Sequence, residues 1–272
     1  MPKRVTGSAG NDTLHGDAAS NIMDAGAGND LILGDGLAGP RPPLFTELTP
    51  GPAIPGNIIL AGAGNDTVHA GYGADRVWGG DGDDEIFGDG VLAADAAGSP
   101  APASWVAQAR DSDLGDTIYG GNGKDTLHGG GGADLLSGGN GDDVLEGGAG
   151  ADTLTGGNGA DVFRFGAMDS RARLPVFDTG GDVVTDFQQG QDKLDLRGFL
   201  GMFAAPPQAD ILGAGAFTDT AHLQLRSEVQ GDHTLVELFV PLSRPLGAPA
   251  HGNASFTLLG AHTLLASDFI LG

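Results

Sequence analysis

The sequence predicts an all-β fold, a stack of short strands joined by tight turns. Three observations carry that expectation. Through long stretches an Asp stands at every ninth position, followed two residues later by a large apolar side chain. Glycine makes up 50 of the 272 residues and clusters just ahead of those aspartates. Hydrophobic residues are 40% of the chain and are spaced too regularly for the disordered polymer that high charge alone would suggest.

The unit is clearest from Gly120-Gly121-Asn122-Gly123-Lys124-Asp125-Thr126-Leu127-His128 onward, where nine-residue copies follow without a break to Arg164. Position six falls at Asp12, Asn21, Asp30, Asn57, Asp66, Asp75, Asp84, Asp116, Asp125, Asp134, Asp143, Asp152 and Asp161, which makes thirteen repeats. Glycine at positions one, two and four permits the positive φ of a tight turn. The last three residues read as a minimal strand whose middle side chain points inward. Leu14, Met23, Ile32, Ile59, Val68, Val77, Ile86, Ile118, Leu127, Leu136, Leu145, Leu154 and Phe163 are the expected core. One side chain per strand is a thin interior, too small to offset chain entropy alone.

Two strands and two turns close one coil of eighteen residues. Odd repeats then place Asp12, Asp30, Asp66, Asp84, Asp125, Asp143 and Asp161 on one edge. Even repeats place Asn21, Asn57, Asp75, Asp116, Asp134 and Asp152 on the other. Stacked strands are about 4.8 Å apart. Two carboxylates at about 5 Å in an effective dielectric of 20 repel by roughly 3 kcal/mol. A cation between coils reverses that sign. Calcium suits such a site because it takes carboxylate and carbonyl oxygens in a flexible geometry, whereas magnesium demands a tight octahedron and keeps its waters.

The nonapeptide Gly-Gly-x-Gly-x-Asp-x-apolar-x resembles the calcium-binding repeat of RTX proteins over residues 7–165. The resemblance implies a right-handed parallel β-roll with several Ca2+ ions, up to about nine, in its glycine-rich turns. It implies as ligands the carboxylates of the eleven position-six aspartates named above. It adds the backbone carbonyls of positions one and three, in the central array Gly120, Asn122, Gly129, Gly131, Gly138, Asn140, Gly147, Ala149, Gly156 and Asn158.

The frame breaks at 37–54 and 91–113, and excising both stretches restores it. Each insert sits after the third residue of an even repeat, the fourth and the eighth, so both are expected on one edge, roughly 10 Å apart. The first is rich in proline and reads as extended polyproline or loop. Leu44, Phe45, Trp105 and Val106 are the side chains that would meet an extracellular glycan or surface partner, if the inserts are more than tolerated turn extensions.

From Gly166 the glycine content falls and the repeat ends. An open coil exposes a sheet edge, and 166–272 is expected to cap it as a short β-sandwich-like region with strands near 182–187, 193–196, 222–226, 234–240 and 255–259. Gly181-Asp182-Val183-Val184-Thr185-Asp186-Phe187 through Leu196, and the ending Leu258 through Leu271, resemble the C-terminal domain of serralysin-type (peptidase M10) metalloproteases. The sequence departs from that pattern at 241–254. Asp186 and Asp192 are weaker metal candidates. By the same resemblance Asp268-Phe269-Ile270-Leu271 matches the uncleaved signal read by type I secretion machinery; read structurally, the same residues are a last β-strand, and both can hold.

Several functions are excluded or disfavoured. A formal charge of −23 opposes phosphate contact and so nucleic-acid binding. No cysteine is present to form disulfides. No apolar run approaches the ~20 residues of a membrane helix, and the start has no apolar stretch for a cleavable signal. The zinc-helix motif His-Glu-x-x-His and the elbow Gly-x-Ser-x-Gly are missing, so no catalytic residue or other cofactor is expected. His15, His69 and His128 occupy outward position nine and read as surface residues.

The expectation is therefore a calcium-binding protein secreted by Gram-negative type I export, loose where calcium is scarce and folded outside the cell. A surface or adhesion role is favoured because Met1 leads almost directly into the first repeat. The alternatives are the export and folding module of a secreted hydrolase, or a polysaccharide-binding accessory module.

Overall fold

The structure is a computed structural model that describes residues 1–17, 19–34, 56–71, 73–89, 114–166, 181–200, 209–212, 214, 223–240 and 252–271. Both inserts, with Leu44, Phe45, Trp105 and Val106, lie outside the described residues, as do residues 241–251.

Fourteen strands form the repeat array: β1 (Lys3–Thr6), β2 (Thr13–His15), β3 (Asn21–Ala27), β4 (Leu31–Leu33), β5 (Ile58–Ala63), β6 (Thr67–Gly71), β7 (Arg76–Asp81), β8 (Glu85–Asp89), β9 (Thr117–Asn122), β10 (Thr126–Gly131), β11 (Leu135–Asn140), β12 (Val144–Ala149), β13 (Thr153–Asn158) and β14 (Val162–Arg164). Odd strands pair in parallel in one sheet and even strands in the other. This is a parallel β-roll, two strands to the coil. The expected core residues lie in register: Leu136 pairs with Ile118 before it and Leu154 after it. Leu14 is 4% exposed and the other twelve are 0%.

The inserts do not disturb the register. Met23 pairs with Ile59 across the first and Val77 with Ile118 across the second. The offset between stacked residues is 18 within the array, 36 across the first insert and 41 across the second. The described strands on either side of each insert therefore keep their inward side chains inward, as a period-two strand requires.

The strands are longer than the expected triplets. Half of them run six residues, from position seven through position three of the next repeat, so the true turn there is positions four to six. The reason is that glycine lets neighbouring backbones approach. A Cβ on Gly121 would stand 2.1 Å from the Gly80 carbonyl oxygen, and the ladder continues where a larger residue would part it. Positive φ falls at positions two and four, for example 123° at Gly121 and 131° at Gly123, and not at position one. Position one faces inward instead, where Ala25, Ala61 and Ala70 serve as well.

The C-terminal region continues both sheets. Its elements are β15 (Asp182–Val184), β16 (Lys193–Asp195), the single-turn helix α1 (Arg197–Leu200), β17 (Ala209–Ile211), β18 (Leu223–Gln230), β19 (His233–Val240), β20 (Gly252–Leu259) and β21 (Phe269–Ile270). β15 stacks on β13 and β16 on β14, which makes one further coil. β20 then pairs with β15, and β19 and β18 follow as antiparallel strands. β17 was not anticipated, whereas β21 is the last strand that Asp268 to Leu271 also allowed; each is short and lies at an outer edge. Phe165 stacks on Phe256 here with ring centroids 3.9 Å apart, and Phe187, Phe199, Leu225, Val236 and Leu258 are buried as well. On the outer faces, position nine carries ring stacks, His69–Phe87–His128 on one sheet and Trp78–Tyr119 on the other. Among the described residues no helix is long and apolar enough to cross a membrane.

Candidate metal centre

Asp125 lies in the turn between β9 and β10, and Asp134 in the turn between β10 and β11. Successive position-six residues thus occupy opposite edges, in two columns. Within a column each backbone N–H donates to Oδ1 of the residue one coil further on. Asp125 donates to Asp143 at 2.9 Å and Asp143 to Asp161 at 3.0 Å. On the other edge Asp116 donates to Asp134 at 2.7 Å and Asp134 to Asp152 at 2.9 Å. Across the second insert Asp75 still donates to Asp116, at 2.7 Å.

One carboxylate oxygen is therefore satisfied by backbone. The other is not. Oδ2 of Asp30, Asp66, Asp84, Asp125, Asp134, Asp143 and Asp161 is buried with no hydrogen-bond partner. These residues are at most 3% exposed. A buried, unpartnered carboxylate oxygen is costly, and a whole column of them is a standing demand for positive charge. Acidity reflects this. Burial pushes the Asp134 carboxyl up to about 8, against the hydrogen bond from the Asp116 backbone, with the Asp152 and Asp89 charges adding to the rise. By the same cause Asp84 rises to about 7, and Asp125, Asp143 and Asp161 to about 6.

Oδ2 faces the position-one carbonyl of the next coil. A Cβ placed on Gly129 would meet Asp134 Oδ2 at 2.4 Å and the Gly147 carbonyl oxygen at 2.5 Å. The Gly120 position brings together Asp125 Oδ2 at 2.3 Å and the Gly138 carbonyl at 2.7 Å, and the Gly138 position Asp143 Oδ2 at 2.2 Å and the Gly156 carbonyl at 2.7 Å. The Gly120 and Gly129 carbonyls stand likewise beside Asp84 and Asp116. Position-three carbonyls are committed differently. Those of Asn122, Asn140, Ala149 and Asn158 accept N–H bonds from Gly82, Gly123, Gly132 and Gly141, which leaves each one lone pair.

The column ends depart from the pattern. Asp12 is half-buried, and its Oδ2 accepts the Ser8 N–H at 2.6 Å and hydroxyl at 2.8 Å. At the far end Asp161 donates to Asp192 and Asp152 to Asp182, so both columns run one coil beyond the repeats. Asp192 Oδ2 is taken by the Gln188 N–H at 2.7 Å. Asp182 was missed in the sequence, although Asp182-Val183-Val184 keeps the Asp-x-apolar half of the motif. Asp186 is no column member: its two oxygens accept the Gly156 and Gly157 N–H groups. At the start of the even column, the Asn21 and Asn57 side chains are 0% and 1% exposed.

Among the described residues no three Asp, Glu or His side chains converge on one point. Any cation must draw on carboxylates from neighbouring coils and on carbonyls. Such an all-oxygen donor set, with buried unpartnered anionic atoms, fits calcium.

The match to a protein family agrees. Four copies of the RTX calcium-binding nonapeptide repeat match, at residues 4–36, 57–90, 112–145 and 137–167. Among solved structures, the chain is similar to the AlgE6R3 subunit of the Azotobacter vinelandii mannuronan C5-epimerase (28% identity, 58% of this chain and 74% of that one, TM-score 0.28). The AlgE6R2 subunit of the same enzyme is similar at 27% identity over 72% of this chain and 92% of that one, TM-score 0.30. The extracellular lipase LipA of Serratia marcescens is 16% identical, over 100% of this chain and 40% of that one, TM-score 0.27. No curated protein matches the sequence. Residues 4–36, 57–90 and 112–167 match RTX calcium-binding nonapeptide repeats, and the described strands of this region stack as a parallel β-roll.

Proposed function

We propose that the chain is a secreted protein whose roll folds as it binds extracellular Ca2+, without catalytic activity of its own. The observation that carries this reading is the pair of buried carboxylate columns, each with one oxygen bonded to backbone and the other facing a carbonyl. Bound calcium supplies the positive charge that those oxygens lack. The position-six aspartates and position-one carbonyls hold it. Within the repeats, Asp-to-Asp gaps number six on the odd edge and three on the even edge, for an expected occupancy of about nine ions there. Because the ligands meet only when coils stack, binding and folding are one equilibrium.

The division into a roll over 7–165 and a cap over 166–272, and the serralysin-like character of that cap, belong to the same proposal. So does type I export. Asp268 is 1% exposed in the folded chain, its Oδ2 accepts the Leu265 N–H, and Phe269 closes the outer edge of the second sheet. The C-terminal signal is then readable only while the chain is unfolded, which low cytosolic calcium ensures. The inserts are the surface offered to an adhesion partner or glycan.

A far-UV circular dichroism titration tests the reading. Coil-like spectra in chelator and a cooperative gain of β signal with calcium, but not with magnesium, are expected. A full β spectrum in chelator refutes it.

A further inference from the structure

The even column begins with two asparagines, and their geometry differs from that of the aspartates in one respect. Asn21 Nδ2 donates to the Ala19 carbonyl at 2.6 Å, the Asp17 carbonyl at 2.9 Å, Asn57 Oδ1 at 3.0 Å and the Gly34 carbonyl at 3.1 Å. Its two hydrogens are shared among four oxygens. Asn57 Nδ2 donates to the Ala70 carbonyl at 3.0 Å. Gly34 and Ala70 hold position one of the next coil, so these are the carbonyls that face Oδ2 in the aspartate gaps. Next to Gly129, Asp134 Oδ2 and the Gly147 carbonyl crowd one point with no donor between them. Next to Gly16, the corresponding atoms are Asn21 Nδ2 and the Gly34 carbonyl.

We infer that Asn21 and Asn57 are metal-free clamps, their side-chain N–H groups joining the first coils of the even edge where the aspartate gaps use Ca2+. The backbone logic is unchanged: the Asn21 N–H donates to Asn57 Oδ1 at 2.8 Å, and the Asn57 N–H to Asp75 Oδ1. Only the second side-chain atom switches, from an acceptor that needs a cation to a donor that satisfies the same carbonyl. Position six thus decides, gap by gap, whether calcium is required. The even edge near the N-terminus is held without metal, and the odd edge beside it, headed by Asp12 and Asp30, is not.

The inference rests on the calcium-folded roll proposed above, and the test separates the two. Calcium is counted by native mass spectrometry and isothermal titration on the full chain. N57D sets a carboxylate in register with Asp75 and should bind one ion more than the parent; N21D/N57D should bind two more. In the reverse direction, D134N should bind fewer ions than the parent yet keep its β spectrum in saturating calcium, while D134A loses ions and part of its β signal. A parent that binds no calcium overturns the proposed function. A parent that binds calcium while N57D gains no ion, or D134N that loses β signal as fully as D134A, overturns the clamp alone.

Discussion

Replacing Asp134 with alanine removes three things at once. The Asp116 N–H loses its 2.7 Å acceptor, and a buried donor left unsatisfied costs about 1–3 kcal/mol. The 116–134 and 134–152 gaps each lose a carboxylate. At free calcium a hundredfold above the dissociation constant, each ion bound only by the folded chain adds about 2.7 kcal/mol. Loss of both ions therefore removes about 5 kcal/mol, and the total reaches roughly 6–8 kcal/mol in saturating calcium. Asn21→Ala is the comparison. It removes amide donors and no cation ligand, so its calcium count stays at the parental value. The assay is urea unfolding in saturating calcium, read by circular dichroism, beside the ion count. The reasoning fails if the two variants lose the same stability, or if Asp134→Ala keeps the parental ion count.

Three further outcomes are expected. In chelator the raised carboxyl groups favour the protonated form, so their stabilisation is complete below about pH 4 and is lost as pH rises through about 6 to 8. A dilute chelated sample should gain β signal on acidification from pH 8 to 4; a pH-independent spectrum contradicts this. Gly141→Ala forces an alanine to a φ of 139° with its Cβ 1.7 Å from the Gly123 carbonyl oxygen, which costs at least about 1–3 kcal/mol of strain and should raise the calcium midpoint for folding. Phe256→Ala opens a cavity in the cap, costing about 3–5 kcal/mol, and should lower the urea midpoint without changing the ion count.

The roll was legible because its determinants are strictly periodic. A nine-residue spacing of apolar residues names the inward column from Leu14 to Phe163 without ambiguity, and doubling it assigns each Asp to an edge. Strand length was not legible, because glycine marks both tight turns and close backbone approach; Gly120 to Asn122 look like turn and are strand. The extra coil was hidden by missing glycines, although Asp182-Val183-Val184 and Asp192-Lys193-Leu194 repeat the Asp-x-apolar signature. Chemical identity at position six carried more than the period did. Asn21 was visible as a departure, but that its amide would bond four oxygens depends on how the coils stack. β17 has only three residues, too few for a pattern.

The central claim is that divalent cations, rather than the thin interior, hold coil to coil. Amide hydrogen exchange on the same sample with calcium and after exhaustive chelation at neutral pH tests it most directly. The inter-coil N–H groups of Asp84, Asp125, Asp134 and Asp143 should be strongly protected with calcium and exchange at near-unfolded rates in chelator. Protection of these four amides that survives metal removal would contradict it.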